Sequence, residues 1–171
     1  GIVCMAIITF ICTYGVVNAR IVHTTRYDVE INKKVENINN MKVVLVADLH
    51  IGYNIGAAQI ERMVNNINAE NPDVVVMAGD IFDNSYDAMR EPEKIKELFK
   101  SINSKYGVYA VYGNHDIYEK TLVGFTFKQH DKKMSDVRMD EFLKDSNVTL
   151  LRDDYVLVDN AFYLIGRADA T

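Results

Sequence analysis

The sequence MKVVLVADLH, residues 41–50, joins a run of strand-forming apolar residues to the polar string Asp48-Leu49-His50. The same arrangement recurs twice. VVVMA at residues 74–78 precedes Gly79-Asp80, and VYAVY at residues 108–112 precedes Gly113-Asn114-His115-Asp116. Continuous apolar runs of this length are typical of strands buried on both faces of a mostly parallel sheet. We therefore predict three buried strands, each ending in polar residues.

A helical pattern follows each of the first two predicted strands. Apolar residues recur at helical spacing in both: the first pattern contains Ile60, Met63, Val64 and Ile67, and the second contains Ile95, Leu98, Phe99 and Ile102. Asn71-Pro72-Asp73 ends the first helix, and Pro92 opens the second. This order predicts an α/β fold with right-handed crossovers and parallel strands, so the three polar strings should meet at the carboxyl edge of one sheet.

The polar strings contain the ligand types of a divalent metal site. Carboxylates and neutral imidazoles bind zinc, iron and manganese, and an asparagine carbonyl oxygen adds a neutral donor. Asp48 and His50 are separated by one residue, so an extended backbone would direct both side chains toward the same ion. Asp80 could bridge two ions through its two carboxylate oxygens, and Asn114 could bind the second ion.

Each motif alone allows a simpler interpretation. Asp48 could equally cap a turn or a helix, and Asp80 could be a turn former, since Asp and Gly favour turns. Gly79 and Gly113 lack a Cβ atom and would allow a sharp turn where the backbone closes on the site. The ordered combination of three motifs at three strand ends favours the metal site.

The order Asp-x-His, Gly-Asp and Gly-Asn-His-Asp resembles the calcineurin-like metallophosphoesterase family. Gly79-Asp80-Ile81-Phe82-Asp83 resembles the second motif of that family beyond its two core residues. The resemblance is strong over residues 41–116. It implies a four-layer αββα sandwich, of which this chain would hold the first half. It also implies that Asp48 and His50 bind a first metal ion, that Asp80 bridges and that Asn114 binds a second ion.

The same resemblance implies catalytic roles for His115 and Asp116. His115 would donate a proton to the leaving group or stabilise charge beside the phosphate, and Asp116 would orient its ring. Two divalent ions, which could be manganese, zinc or iron, would activate the attacking water. The implied enzyme is a binuclear phosphoric monoester or diester hydrolase.

The histidine inventory departs from the family pattern. Members of the family complete the site with a later lone histidine and a Gly-His-x-His string, and neither occurs here. His23 and His130 lie outside the motifs, and the charged stretch around His130 favours a solvated loop. Because the chain also begins with Gly1, we expect a fragment cut at both ends that hydrolyses poorly by itself.

Composition limits the classes of partner. The 171 residues are 49% hydrophobic and carry a formal net charge of −5. This balance disfavours a general nucleic-acid binder, which normally presents a basic face. The family resemblance implies a phosphoester substrate as the partner.

The first nineteen residues carry no charged side chain. As a helix they would span roughly 28 Å, about one hydrocarbon core. We expect a transmembrane helix over residues 1–19 that contacts the lipid bilayer; a buried globular helix and a signal peptide are the alternatives. Cys4 and Cys12 would lie about two turns apart on this helix, too far for a disulfide.

The orientation of this helix is argued from the residues that follow it. A cluster of cations would place them in the cytoplasm by the positive-inside tendency: Arg20, Arg26, Lys33 and Lys34. The family resemblance instead implies an extracytoplasmic catalytic domain, as in many bacterial membrane-linked members. We expect a membrane protein with its catalytic domain on the extracytoplasmic side.

The remaining segments complete the predicted organisation. Residues 20–40 should form a linker and an edge strand, because Tyr27, Val29 and Ile31 alternate with polar residues. Residues 41–171 would be the N-terminal part of the metallophosphoesterase domain. Within them we predict a loop over residues 118–133, a helix over residues 140–144, and a hairpin of residues 156–158 and 162–165 that begins a second sheet.

Two rival functions come from other classes of protein. The chain could be a non-catalytic membrane-anchored scaffold or receptor that retains the fold. It could also belong to a metal-dependent nuclease, or to a pyrophosphatase acting on a lipid-linked substrate.

Overall fold

The structure is a computed structural model of the chain. It describes residues 1–19, 21–33, 35, 38–117, 121–122, 125–126 and 135–168. His130 and most of the loop predicted over residues 118–133 lie outside the described residues. The chain divides into two compact units, Gly1–Glu30 and Ile31–Thr171.

The first unit contains one helix, α1 (Ile2–Asn18), of 17 residues, all of them exposed. Among the described residues, no helix combines the length and apolar character needed to cross a bilayer. The structure therefore does not support the transmembrane helix predicted for residues 1–19. Cys4 and Cys12 are free thiols, as expected.

The described residues 21–33, which follow α1, form neither a helix nor a strand. Residues 21–33 contain no strand, and Tyr27, Val29 and Ile31 are all exposed. The predicted edge strand is therefore wrong. An alternating pattern becomes a strand only where a neighbouring strand pairs with it, and in the described part of residues 20–40 the only ladder contact is an isolated bridge between Val35 and Ile38.

The second unit begins with strands and helices in alternating order and continues with two further groups of strands on either side of α4. In chain order its elements are β1 (Val43–Val46), α2 (Ala57–Glu70), β2 (Val74–Ala78), α3 (Pro92–Lys100), β3 (Val108–Val111), β4 (Thr121–Leu122), β5 (Phe125–Thr126), α4 (Val137–Asp145), β6 (Val148–Leu150), β7 (Asp154–Val158) and β8 (Phe162–Gly166). Four strands form a parallel sheet in the order β1-β2-β3-β6. The predicted α/β fold with a parallel sheet is confirmed, and β6 is a fourth strand that sequence analysis missed.

Local sequence explains where the helices begin and end. Helix α2 stops at Asn71, which adopts a left-handed conformation (φ 49°) directly before Pro72. Pro92 occupies the first turn of α3, where its missing N–H has no partner to lose. Helix α4 begins at Asp136, whose carboxylate accepts the Arg138 N–H at 2.9 Å.

The core lies between the sheet and the apolar faces of the helices. All four residues of the first helical pattern are buried, as are Ile95, Phe99 and Ile102 of the second. Strand β2 is largely buried, but Val43 and Leu45 of β1 are exposed. The prediction that all three strands are buried on both faces is thus wrong for β1. It is the edge strand of the sheet, and only its alternate residues pack against the core.

Two antiparallel pairs stand apart from the sheet. Strand β4 pairs with β5, and β7 pairs with β8 around Asp159 and Asn160. The predicted hairpin of residues 156–158 and 162–165 is confirmed. In the described residues it forms a separate two-stranded sheet, and a larger second sheet stays a prediction.

Candidate metal centre

The three polar strings follow the carboxyl ends of the three neighbouring strands β1, β2 and β3. Backbone hydrogen bonds continue the parallel pairing past the strand ends. The Asp48 N–H donates to the Gly79 carbonyl at 3.2 Å, and the His50 N–H donates to the Asp80 carbonyl at 2.9 Å. The first two strings are thereby held side by side.

Three predicted ligands lie together at this edge. Asp48, His50 and Asp80 each offer one ligand atom, and these atoms lie within 4.8 Å of one another. Asp48 is exposed, whereas His50 and Asp80 are half-buried. Two carboxylates and an imidazole suit manganese, zinc and iron, so the donor set of the chain fits a divalent cation.

The backbone that presents these ligands is not extended. Asp48, His50 and Asp80 have φ angles of 55°, 46° and 51°, in the left-handed region. The reason given above for the convergence of Asp48 and His50, the alternation of an extended strand, is therefore wrong. The two side chains come together because the chain turns sharply after β1, in a conformation that costs a non-glycine residue roughly 1–2 kcal/mol.

Gly79 and Gly113 allow the second and third strings to touch. A Cβ on Gly79 (φ 89°) would lie 3.0 Å from the backbone of Gly113. A Cβ on Gly113 would overlap Asp80 Oδ1 and lie 2.8 Å from the Asp80 backbone nitrogen. The close approach of the Gly113 backbone to the Asp80 carboxylate thus requires that position to carry no side chain.

His115 lies beside the ligand group. Its backbone N–H donates to Asp80 Oδ1 at 3.0 Å, and its ring packs edge-to-face on that of His50 with centroids 4.8 Å apart. Asn84 Nδ2 lies 3.2 Å from His115 Nδ1. His115 also forms a second possible ligand group with His50 and Asp83, whose ligand atoms lie within 4.8 Å of one another.

Asp116 occupies a structural position. Its side chain is buried, with one oxygen accepting the Phe82 N–H at 2.7 Å and the other accepting the Gly113 N–H at 2.9 Å. Burial raises the pKa of the Asp116 carboxyl, although the backbone hydrogen bonds act in the opposite direction. This arrangement differs from the predicted role of Asp116 in orienting the His115 ring. The Asp116 carboxylate accepts hydrogen bonds from the backbones of two loops, and the residue that contacts the His115 ring is Asn84.

Two further residues considered in the sequence analysis are Asn114 and His23. Asn114 opens the short 3-10 turn Asn114–Asp116 and is exposed. His23 is exposed in the first unit. Sequence analysis assigned no role to Asp83 or Asn84, and the only signal for them was their position in and just after the string Gly79-Asp80-Ile81-Phe82-Asp83.

Tyr112, the residue before the third string, contacts helix α4. Its hydroxyl donates to Asp140 of α4 at 2.9 Å, and the Arg152 guanidinium lies 5.0 Å from its ring centroid. Burial and the neighbouring Asp140 carboxylate raise the pKa of the Tyr112 phenol, so it remains a donor. This contact joins the end of β3 to α4 directly before Gly113.

The chain is similar in sequence to several known proteins. A transmembrane protein with a metallophosphoesterase domain from Danio rerio is 30% identical over 125 residues, which is 72% of this chain and 28% of that protein. The UDP-2,3-diacylglucosamine pyrophosphatase LpxG of Chlamydia trachomatis is 26% identical over 56% of this chain and 29% of that protein. A metallophosphoesterase of Aquifex aeolicus is 22% identical over 97% of this chain and 56% of that protein.

The chain spans about a quarter of the length of the Danio rerio and Chlamydia trachomatis relatives. The sequence model of the calcineurin-like phosphoesterases matches residues 41–167, which include all three polar strings and the whole parallel sheet. The chain belongs to the calcineurin-like phosphoesterase family.

Proposed function

We propose that the protein is a hydrolase of phosphoesters that uses two divalent cations. The observation that carries this proposal is the meeting of Asp48, His50 and Asp80 at adjacent strand ends, with ligand atoms within 4.8 Å of one another. Asn114, in the next loop, would complete the ligand set of this chain. The four-layer αββα sandwich belongs to the same proposal and is supported by the family match.

Bound at this edge, the cations would supply an activated water and positive charge for the phosphoryl oxygens. The chain itself supplies the carboxylates that hold them and a histidine that serves the substrate. The backbone N–H of His115 donates a hydrogen bond to the Asp80 carboxylate, which places His115 beside Asp80. It would donate a hydrogen bond or a proton to an oxygen of the phosphoester, which is the expected contribution of a general acid or a charge stabiliser.

A membrane location with an extracytoplasmic catalytic domain stays a prediction. The membrane location is supported by the names of the Danio rerio and Bos taurus relatives, both described as transmembrane proteins with a metallophosphoesterase domain, and the orientation rests on the sequence argument alone. Protease treatment of intact cells that express the full-length protein tests the orientation. Digestion of residues 41–167 from outside is expected, and protection of the domain would contradict the extracytoplasmic placement.

The proposed hydrolysis is tested through Asp80. With manganese added, the full-length protein should release nitrophenol from bis-p-nitrophenyl phosphate or from p-nitrophenyl phosphate, and a chelator should stop the release. Removal of a residue that only supports a metal ligand typically lowers metal affinity about 10- to 100-fold. Asp80→Asn changes a proposed ligand itself, so its loss of manganese affinity should be at least that large. Calorimetric titration measures the affinity, and the nitrophenol assay measures turnover.

Asp159→Asn is the matched control. Asp159 has nearly the same left-handed conformation as Asp80, with φ 52° against 51°, but it lies in the β7–β8 turn. The control should bind manganese and hydrolyse as the wild type does. An Asp80→Asn protein with normal affinity and turnover would show that Asp80 holds no ion.

A pyrophosphate substrate attached to a lipid is the second candidate. It is favoured by two relatives, from Chlamydia trachomatis and Chlamydia muridarum, that are named UDP-2,3-diacylglucosamine pyrophosphatases. Hydrolysis of a nucleoside-diphosphate lipid should then exceed that of a nitrophenyl phosphodiester under the same conditions. Equal or slower hydrolysis of the lipid-linked pyrophosphate would remove this candidate.

A further inference from the structure

The loop after the first polar string is a tight turn packed against the second string. The Gly52 N–H donates to the Ile55 carbonyl at 3.1 Å, and the Asp83 N–H donates to the Ile51 carbonyl at 3.1 Å. A Cβ on Gly52 would lie 2.9 Å from the Asp83 Cβ and 3.4 Å from Asp83 Oδ2. These contacts fix the loop of residues 51–55 against Asp83.

Tyr53 leaves this loop next to the candidate metal centre. The ligand atom of Asp83 lies within 4.8 Å of those of His50 and His115. Because Tyr53 directly follows Gly52, its Cα lies within about 9 Å of the Asp83 carboxylate. A group joined to a phosphate bound at the centre can therefore reach the Tyr53 side chain.

The Tyr53 ring is open to solvent and has a cation over it. Tyr53 is 63% exposed, and the Arg90 guanidinium carbon lies 5.9 Å from its ring centroid. This distance is at the outer limit of a cation–π contact, which is about 6 Å. The contact is thus loose, and the ring keeps surface that another group can cover.

Arg90 is placed by its neighbours in the chain and not by an ion pair. Ala88 and Met89 before it are buried, and the Ala88 Cβ would lie 3.6 Å from a Cβ on Gly52. Arg90 itself is exposed, and it forms no ion pair with any residue that the structure describes. A guanidinium without a carboxylate partner keeps its planar face available for stacking on an aromatic ring.

The spacing of Tyr53 and Arg90 suits a flat ring. Stacked carbon atoms are best separated by about 3.5–4.0 Å, so a flat ring inserted between the two side chains requires a gap of about 7–8 Å. The present separation is 5.9 Å. Exposed side chains change rotamers within picoseconds to nanoseconds, so the guanidinium can move outward by the missing distance of about 1–2 Å.

We propose that Tyr53 and Arg90 bind a planar aromatic ring joined to the scissile phosphate, so that the substrate is a nucleotide or another aryl-bearing phosphoester. This inference rests on the proposed hydrolytic function, because the phosphate itself is placed at the proposed cations. The recognised chemistry is a flat π-face, which stacks on tyrosine and on arginine alike. A substrate with an aliphatic group in the same position has no such face and should bind more weakly.

Three phosphonates test this preference without turnover, because their P–C bond is not hydrolysed. They carry a uridine, a phenethyl or a cyclohexylethyl group, and calorimetry measures their affinities for the manganese-loaded full-length protein. The uridine and phenethyl probes should bind about 5- to 100-fold more tightly than the cyclohexylethyl probe, the range for stacking of one base on an aromatic side chain. Equal affinity for the phenethyl and cyclohexylethyl probes would overturn the proposal.

Two substitutions at position 53 separate the ring from its hydroxyl. Tyr53→Ala removes the stacking face, so the preference for the flat probes should disappear while the affinity for the cyclohexylethyl probe changes little. Tyr53→Phe retains the face and should retain the preference. A Tyr53→Ala protein with the full preference, or a Tyr53→Phe protein without it, would show that the Tyr53 ring does not stack on the probe.

Arg90→Gln tests the guanidinium. A cation over a ring at an exposed site changes affinity about 2- to 5-fold, so binding of the flat probes should weaken by that factor. Lys105→Gln is the matched control. Lys105 also lies over a ring, 4.5 Å from the centroid of Tyr106, but it precedes β3, whereas the polar string follows that strand. The control should bind all three probes as the wild type does, and an equal loss in both variants would overturn the role of Arg90.

The results distinguish failure of this inference from failure of the proposed function. Metal-dependent hydrolysis without a preference for flat probes would leave the proposed function standing and overturn this inference. A preference for flat probes without hydrolysis of any phosphoester would support the binding of a flat ring and contradict the proposed hydrolysis. Where the preference exists, tighter binding of the uridine probe identifies a nucleoside as the flat group, and tighter binding of the phenethyl probe identifies another aryl group.

Discussion

Four of the ten left-handed non-glycine residues in the described part of the chain lie at the candidate site. Asp48, His50, Asp80 and Asn84 all have φ between 46° and 59°. Each would relax to an ordinary conformation unless neighbouring contacts opposed it, and the backbone hydrogen bonds from Asp48 and His50 to the second string do so. Conformations of this kind persist where the surrounding structure over-determines them, and they pre-organise a site before a ligand arrives.

At Gly113, the addition of a single methyl group should disturb the metal site. Gly113→Ala places a methyl group against the Asp80 carboxylate and backbone, so the carboxylate must move away from Asp48 and His50. We expect manganese affinity to fall at least about 10-fold while circular dichroism still shows a folded chain. Calorimetric titration with manganese measures the loss.

Gly56→Ala is the control for that substitution. Gly56 precedes α2, and a Cβ there would meet no atom within 4 Å. Its manganese affinity should equal that of the wild type. A Gly113→Ala protein that binds manganese equally well would mean that Asp80 is not held in place by the approach of the third string.

Arg138 joins two elements beside the site. Its guanidinium forms ion pairs with Asp136, at the start of α4, and with Asp87, in the 3-10 turn Tyr86–Ala88. It also lies 4.9 Å from the ring centroid of Tyr86. Because only Ser85 separates that turn from Asn84, Arg138 links α4 to the loop that contacts His115.

The pH dependence of stability should reveal this link. Hydrogen bonds from Arg138 lower the pKa of both Asp87 and Asp136 below their ordinary value of 3.8. Carboxyls with lowered pKa values stabilise the fold above that ordinary value, and the stabilisation is lost as pH falls through the lowered values. The difference in unfolding free energy between wild type and Arg138→Met should therefore be present at neutral pH and shrink as the pH falls through the lowered pKa values of the two carboxyls.

Urea unfolding at several pH values measures that difference. Lys94→Met is the control, since Lys94 is an exposed cation of α3 without an ion pair among the described residues. It should change stability little at any pH, as expected of a surface substitution. A pH-independent effect of Arg138→Met would show that its packing on Tyr86, and not its charge, joins the two elements.

At the scale of the whole second unit, an aromatic cluster ties the helices to the site. The Phe142 ring of α4 packs edge-on against Phe82, Phe99 and Tyr86, with centroids 5.8, 6.0 and 6.4 Å away. Phe82 is fully buried and directly precedes Asp83. The position of the second polar string therefore depends on how α3 and α4 pack.

Phe142→Ala tests the contribution of this cluster. Removing a buried phenylalanine typically costs about 3–5 kcal/mol, because the transfer free energy is lost and a cavity remains. Denaturant unfolding measures the loss. Val137→Ala on the same helix is the control, and its largely exposed side chain predicts a change within about 0.5 kcal/mol. If Phe142→Ala lowered the free energy of unfolding by less than about 1 kcal/mol, the neighbouring side chains would have to fill the cavity that the ring leaves.

The sequence by itself determined the order of β1, α2, β2, α3 and β3 and the edge at which the polar strings meet. Apolar runs, helical spacing and Pro92 act over a few residues, and right-handed crossovers then leave only a few arrangements of the sheet. For this reason the parallel sheet, the hairpin and the approach of Asp48, His50 and Asp80 could be predicted. The family could be predicted from the same polar strings, all of which lie within residues 41–167, the part of the chain that the family model matches.

Only the tertiary structure decided which groups touch within that edge. Asn84 and His115 are 31 residues apart, and Phe82 and Asp116 are 34 apart, so no local pattern records either contact. Their pairing depends on left-handed corners whose direction is set by hydrogen bonds between loops. The exposure of β1 and the absence of a strand at residues 21–33 have the same cause, because burial and strand pairing depend on neighbours that a single segment of sequence does not contain.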